Sequence, residues 1–333
     1  MYIVQNYSIA IVFCIITMLC WGSWANTQKL AAKDWRFELF YWDYVFGIFI
    51  FSLVLAFTLG SIGENGRSFA KDISQGNLIT IISPIIGGVI FNLANILLVA
   101  AINILGMAVA FPVGIGIALV LGVGLNYILA PSGNFLLLII VVFFIALAIL
   151  IDGIAYGKAQ KGKVISKNGI GIAVISGILM GVFYRFVAGS IATNFAMPEA
   201  GKLTPYTAFF LLAVGILCSN FLFNFILMKK PLSGTALSFK DYFAGSPRSH
   251  LAGLFGGLIW GIGTAFNILA SGEAGFAVSY GLGQGATLVA AVWGVFIWKE
   301  FNASPRIVFI LLYLMFLLYI SGIGAIIISK IYL

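Results

Sequence analysis

Ten runs of about 20 apolar residues, joined by short connections, fill nearly the whole chain. They lie near residues 8–27, 39–59, 77–102, 105–129, 134–156, 169–191, 205–228, 251–271, 275–298 and 306–329. Each is long enough to cross a hydrocarbon layer roughly 30 Å thick, where no water satisfies free backbone amides and carbonyls. With 62% hydrophobic and 8% charged residues, the chain has no soluble fold open to it. The alternating ten-residue segments of a membrane barrel are absent. The expected fold is therefore an all-α integral membrane protein with ten transmembrane helices.

The fourth run contains Gly106 to Val120, GMAVAFPVGIGIALV, and a second copy follows at Gly275 to Val289, GFAVSYGLGQGATLV. Gly106, Ala108, Val109, Gly114, Gly116, Leu119 and Val120 all recur 169 residues later. At the same offset IIGGVI (Ile85–Ile90) matches LFGGLI (Leu254–Ile259), and Ile151, Gly153 and Ile154 match Ile320, Gly322 and Ile323. The first and sixth runs match more loosely, around Gly22 and Gly181. Each half holds five spans, an odd number, so the second copy must insert upside down relative to the first. The expected organisation is a five-helix repeat over 1–157, a lysine-rich cytoplasmic loop over 158–168 and a second five-helix repeat over 169–333. Inverted halves around a mid-membrane site are what alternating access requires.

Thirteen lysines and arginines fall in the loops on one side, and four (Arg67, Lys71, Lys202 and Lys330) on the other. This bias places both termini outside and the 158–168 loop in the cytoplasm. It also accounts for the net charge of +8 without nucleic acid. The first run lacks a basic leader, and Trp21 and Asn26 follow it where small cleavage-site residues would stand, so it is expected to stay as an anchor. The expected location is the plasma (cell inner) membrane.

No cofactor or metal is expected. Cys14, Cys20 and Cys218 lie inside apolar spans, and the single histidine, His250, stands at a span boundary. Gly157 to Val164, GKAQKGKV, has phosphate-loop spacing but ends in valine where magnesium needs a hydroxyl, and no strand–loop–helix context surrounds it.

Pro112 removes an amide hydrogen and crowds the preceding turn, so Pro112 and Gly114, with Gly281 and Gly283 in the copy, are candidate hinges. The competing reading is close helix packing through small residues. In the copy, Tyr280 and Gln284 bring hydrogen-bonding groups where the first helix offers Phe111, Pro112 and Ile115. The first helix is expected to form the hinge and wall, and the second to supply the hydrogen bonds. Candidate substrate contacts are Asn92, Asn95, Phe111, Trp260, Tyr280 and Gln284. Polar or charged pathway candidates are Asn26, Arg185, Asn220, Asn224 and Asn267. Buried amides also hold helices together, and Arg185 has the further options of snorkelling outward or pairing with Glu199 or Glu273. Asp43, one turn inside the second span, is the proton-coupling candidate; the alternative is an interfacial ion pair with Lys29 or Lys33. Asp152 reads as an ion-pair partner of Lys158.

Several stretches resemble a known family. WDY (Trp42–Tyr44) followed by AFTLGSIG (Ala56–Gly63), GGVIFNLAN (Gly87–Asn95), TPYTAFF (Thr204–Phe210) and WGVFIWKEF (Trp293–Phe301) are similar to the ureide permeases and their bacterial relatives. These lie near the glucose/ribose uptake branch of the drug/metabolite transporter superfamily. The resemblance implies a secondary-active, proton-coupled importer of ureides such as allantoin, or of uracil-like cyclic amides. It puts weight on Asp43, Asn92 and Asn95. The plant members carry a long central cytosolic region with a phosphate-loop motif, where this chain has only Lys158 to Lys167. A sugar permease of the same superfamily is the alternative. The implied partners are a small polar substrate, a proton or other cation gradient and the lipid bilayer. An intramembrane enzyme would need a converging catalytic set, and a scaffold would not need paired broken helices.

Overall fold

The computed structural model describes residues 1–105, 107–131, 134–159, 166–231, 234–299, 301 and 304–328, without the side chains of 107–109, 111, 112 and 326–328. Asn6 caps α1 (Tyr7–Ser23), which tightens into a 3₁₀ segment, Trp24–Leu30. Then come α2 (Phe37–Phe57), a short α3 (Phe69–Gln75), α4 (Leu78–Leu105), α5 (Met107–Leu129) and α6 (Phe135–Ala159). Ser166 caps α7 (Lys167–Ser190), and α8 (Pro205–Lys229) opens with proline, whose missing amide is no loss in a first turn. The short α9 (Phe239–Phe243) carries a reciprocal Ser238–Asp241 cap, and Ser246 caps α10 (Pro247–Ala274). After Gly275 at φ 84° come α11 (Phe276–Gly283), α12 (Ala286–Val292), a π-helical turn (Trp293–Ile297) and α13 (Arg306–Ile328).

Nine helical stretches among the described residues are long and apolar enough to cross a membrane. α5 lies where a further span was expected, and its described apolar part, Val113–Leu129, is shorter. Large apolar side chains such as Ile128, Phe135, Phe143, Leu222 and Ile320 point outward, as a lipid-facing surface requires.

The helix assignment runs through positions 111 and 112, while the Phe111 and Pro112 side chains lie outside the described residues. The irregularity in the second copy falls at Gln284–Gly285. There the amides of Gly285, Thr287 and Leu288 bond three residues back, to Leu282, Gln284 and Gly285. Gly281 and Gly283 sit just before it, inside α11.

Two crossings bring backbones into direct contact. An added methyl on Gly88 of α4 would meet the Leu212 carbonyl of α8 at 2.2 Å, and one on Gly215 would meet the Ile85 carbonyl at 2.1 Å. One on Gly257 of α10 would meet the Tyr44 carbonyl of α2 at 2.0 Å, and one on Gly47 the Leu254 carbonyl at 2.3 Å. Gly88 and Gly257 are 169 residues apart. Around these crossings α1 packs on α10 and α12, α7 packs on α4 and α5, α2 lies against α8, and α6 against α13.

Gly257→Val should lower stability by about 1–3 kcal/mol, because the obstacle is backbone and cannot rotate away. Gly124→Ala, which meets nothing within 4 Å, should be neutral. Thermal unfolding of the purified variants in detergent measures both, and equal midpoints would contradict the contact.

Candidate functional site

A cavity of about 770 Å³ opens on the lysine-rich face and reaches the middle of the bundle. Lys29, Lys33, Trp35 and Trp298 stand at its mouth. Its depth is reached by Trp21 of α1, Phe91 and Asn95 of α4, Ile115 of α5, Phe183 of α7, Trp260 of α10, and Gln284 with Thr287 around the α11–α12 break. Phe91 and Trp260 are equivalent positions in the two copies, as are Ile115 and Gln284. The cavity therefore lies where the copies meet.

Its floor is aromatic. Trp21 and Trp260 stack with ring centroids 6.4 Å apart and 16° between planes, and Phe91 lies 4.6 Å from Trp260. The Trp21 indole N–H donates to Thr264 Oγ1 (3.1 Å), which fixes that ring. Two amides adjoin this surface. The Asn95 Nδ2 donates to the Tyr41 hydroxyl (3.1 Å). Gln284 is only 7% exposed, lines the cavity and makes no side-chain hydrogen bond among the described residues. Its carboxamide keeps both donor and acceptor capacity for a solute. Beside it Thr287 Oγ1 donates to the Gln284 carbonyl (3.0 Å) and touches the Tyr319 hydroxyl. At the mouth, Asn26 Oδ1 accepts from the Trp298 indole (2.8 Å), and Lys29 Nζ lies 3.8 Å over the Trp298 ring.

The other face is sealed. Arg67 Nε donates to Asp72 Oδ1 (2.9 Å), and the guanidinium also donates to the carbonyls of Pro198 (2.7 Å) and Lys202 (2.5 Å). Asp72 is fully buried, and its other oxygen accepts from the Thr204 amide (2.7 Å). Gln75 bonds both the Lys202 carbonyl and the Gly201 amide. Together these weld α3 and its flanks to the 191–204 segment. The equivalent residue on the open face, Asp241, is exposed and only caps its own helix. Hydrogen bonds from Ser238 hold its carboxyl below the usual range.

The remaining candidates separate from the cavity. Asn92 is fully buried between α2, α4 and α8: Nδ2 donates to Ser219 Oγ (2.9 Å) and Oδ1 accepts from the Tyr41 hydroxyl (2.9 Å). The Tyr280 hydroxyl donates to the Met180 carbonyl (3.0 Å), and its ring fills the space over Gly122. Asn224 Nδ2 donates to the Glu38 carbonyl, and Asn267 Nδ2 to the Ser279 carbonyl. Both atoms of the Asn220 amide are buried without a partner. Gly114 packs on α7, where a methyl on Gly177 would meet its carbonyl at 2.5 Å, and Gly283 packs on Trp21. Arg185 lies outside the cavity, in a crevice on the sealed face.

Asp43 does not pair with Lys29 or Lys33. It is 3% exposed and accepts from the Tyr242 hydroxyl (2.6 Å), with His250 Nδ1 2.9 Å from Oδ2. Burial and the Asp43 carboxylate push the Tyr242 phenol above its ordinary range. Trp35 packs edge-on against His250 at 5.0 Å and screens this triad from the mouth. His250 and Tyr242 gave no local signal, since they stand 207 and 199 residues from Asp43. Asp152 makes no ion pair with Lys158, and its Oδ1 is buried without a hydrogen-bond partner.

The sequence profile of the ureide permease family matches residues 40–164 and 158–329, and the chain belongs to that family. Ureide permease 1 of Arabidopsis thaliana is 24% identical over 393 aligned positions, which cover 99% of this chain and 99% of the relative. Ureide permease 2 of the same plant is 28% identical over 175 residues, covering 51% of this chain and 42% of its own length. One solved crystal structure overlays 98% of this chain and 99% of its own, with a TM-score of 0.61 at 13% identity, and so shares the fold.

The geometry separates the two span-three asparagines. In a background with Cys14, Cys20 and Cys218 replaced, Asn95→Cys should react with a small thiol reagent and Asn92→Cys should not, because reaction follows access. Equal labelling of both positions would contradict the assignment of the cavity wall.

Proposed function

From membership of the ureide permease family, we propose that this chain is a secondary-active, proton-coupled permease importing a small planar polyamide. The substrate class is the ureides such as allantoin, or uracil-like cyclic amides. The observation that carries the reading is the cavity floor, where indole and phenyl faces adjoin the uncommitted carboxamide of Gln284. A flat, uncharged ring offers a π-face and edge N–H and C=O groups. Stacking and a two-point amide contact satisfy these without introducing charge.

Transport is read as exchange between two inverted five-helix repeats, 1–157 and 169–333, joined by the 158–168 loop, with α5 as the tenth span. The paired crossings at Gly88 and Gly257 support this, as does the reciprocal packing of α1 on α10 and α12 and of α7 on α4 and α5. One face is open and the other sealed, which suits one state of an alternating carrier. The lysine bias supports a cytoplasmic open face, with both termini outside in a plasma membrane. Asp43 is read as the proton acceptor. Its ties to Tyr242 and His250 join α2 to α9 and α10, so a proton there weakens contacts between elements that must separate or slide.

Uptake of labelled allantoin, uracil, glucose and ribose into expressing cells, with and without a protonophore, tests the reading. Allantoin or uracil should accumulate only with the gradient; transport of the sugars alone would move the chain to the sugar branch. Gln284→Ala should raise the half-saturating concentration about tenfold, near 1.4 kcal/mol. Asp43→Asn should abolish accumulation and spare counterflow, and unchanged accumulation would return Asp43 to a structural role.

A further inference from the structure

On the sealed face a separate crevice of about 340 Å³ lies between α4, the end of α5 and the end of α7. Arg185 lines it, five residues before the end of α7, so roughly 7–8 Å inside that helix end. Its side chain is exposed and has no hydrogen-bond or ion-pair partner among the described residues. An ionised guanidinium at that depth on an outward-facing position needs an anion or a route to the interface. Glu199 does not serve. Burial alone would push its carboxyl up, but hydrogen bonds from the Thr193 hydroxyl and amide and from neighbouring backbone amides together hold it below its ordinary range, within its own loop.

Two further donors converge there. Lys202 Nζ donates to the Gly189 carbonyl at 2.6 Å, which leaves two ammonium protons free. Asn77 accepts from the Thr80 amide through Oδ1, so its Nδ2 is available. The Thr80 and Ser83 hydroxyls are committed to the carbonyls of Gly201 and Phe186. No carboxylate lines the crevice among the described residues. Its rim is apolar and outward-facing: Ile79 is 80% exposed and Leu129 37%.

We propose that this crevice binds the headgroup phosphate of an anionic phospholipid. The phosphodiester sits against Arg185 and Lys202, and the acyl chains run down over Ile79 and Leu129. A guanidinium and an ammonium suit a phosphate's spread of acceptor oxygens. The apolar rim selects a lipid over a free oxyanion. The site is independent of the transport cavity and of the solute carried.

The test is thermal unfolding of the purified full-length protein in neutral detergent, followed by tryptophan fluorescence. Phosphatidylglycerol, phosphatidylcholine or inorganic phosphate is added. Phosphatidylglycerol should raise the midpoint at low molar ratio, with little effect from the other two. Arg185→Gln should need about tenfold more phosphatidylglycerol for the same rise, and Arg185→Lys should recover part of it. Arg185 is exposed, so the variant's midpoint without lipid should match the unmodified protein and exclude misfolding. An identical phosphatidylglycerol response in Arg185→Gln would overturn the proposal. So would full stabilisation by inorganic phosphate, which would make this a site for soluble oxyanions.

Discussion

Direct contact between helix backbones, with no side chain between them, sets the geometry of the rest of the bundle. At Gly88–Gly215 and at Gly47–Gly257 the chains approach so closely that a single methyl would collide with a carbonyl. In a bilayer, burying apolar surface gives helices little reason to associate, so close packing and buried hydrogen bonds must do it. The crossings supply the first. The amide–hydroxyl cluster of Asn92, Tyr41, Asn95 and Ser219 supplies the second, beside the α4–α8 crossing. Holding α4 and α10 tightly against α8 and α2 leaves room on their other sides. The cavity occupies that room, with Phe91 and Trp260 packed against each other in its floor.

The two copies share a sequence pattern, Gly88 and Gly257 included, and differ in chemistry. Where the first offers Phe91 and Ile115 to the cavity, the second offers Trp260 and Gln284. Asp152 likewise stands opposite a neutral copy, Ser321. On the proposed alternating cycle, such one-sided polarity would leave most of the polar contacts to the solute on one half. The Gln284–Gly285 break tightens the backbone where the free carboxamide must point inward.

Span positions were legible in the sequence because hydropathy alone dictates them. The described helices lie within a few residues of the expected runs at nearly every end. Of the close-packed glycines, Gly88 and Gly257 fall within the repeat, whereas Gly47 and Gly215 carry no such signal. Which amide faces the cavity was not legible: Asn92 and Asn95 sit on one helix three residues apart, yet only Asn95 lines it. Rotation of α4 decides that, and the α8 crossing decides the rotation. Pairing of Asp43 with His250 escaped for a related reason. A histidine at a span boundary acquires meaning only once α10 is laid against α2. Asp152 next to Lys158 looked like an ion pair on linear spacing, whereas the fold leaves its Oδ1 buried and unpartnered.

The Arg67–Asp72 ion pair of the closed face is not repeated at the equivalent positions of the other. Asp72 and Asp241 are equivalent positions, but Ala236 stands where a copy of Arg67 would be. The closed face is thus tied by a buried ion pair backed by several carbonyls, whereas on the open face Arg36 pairs with Glu38 and donates to the Thr235 carbonyl. On the proposed alternating cycle, opening the closed face would first have to break the Arg67–Asp72 pair and the carbonyl bonds behind it.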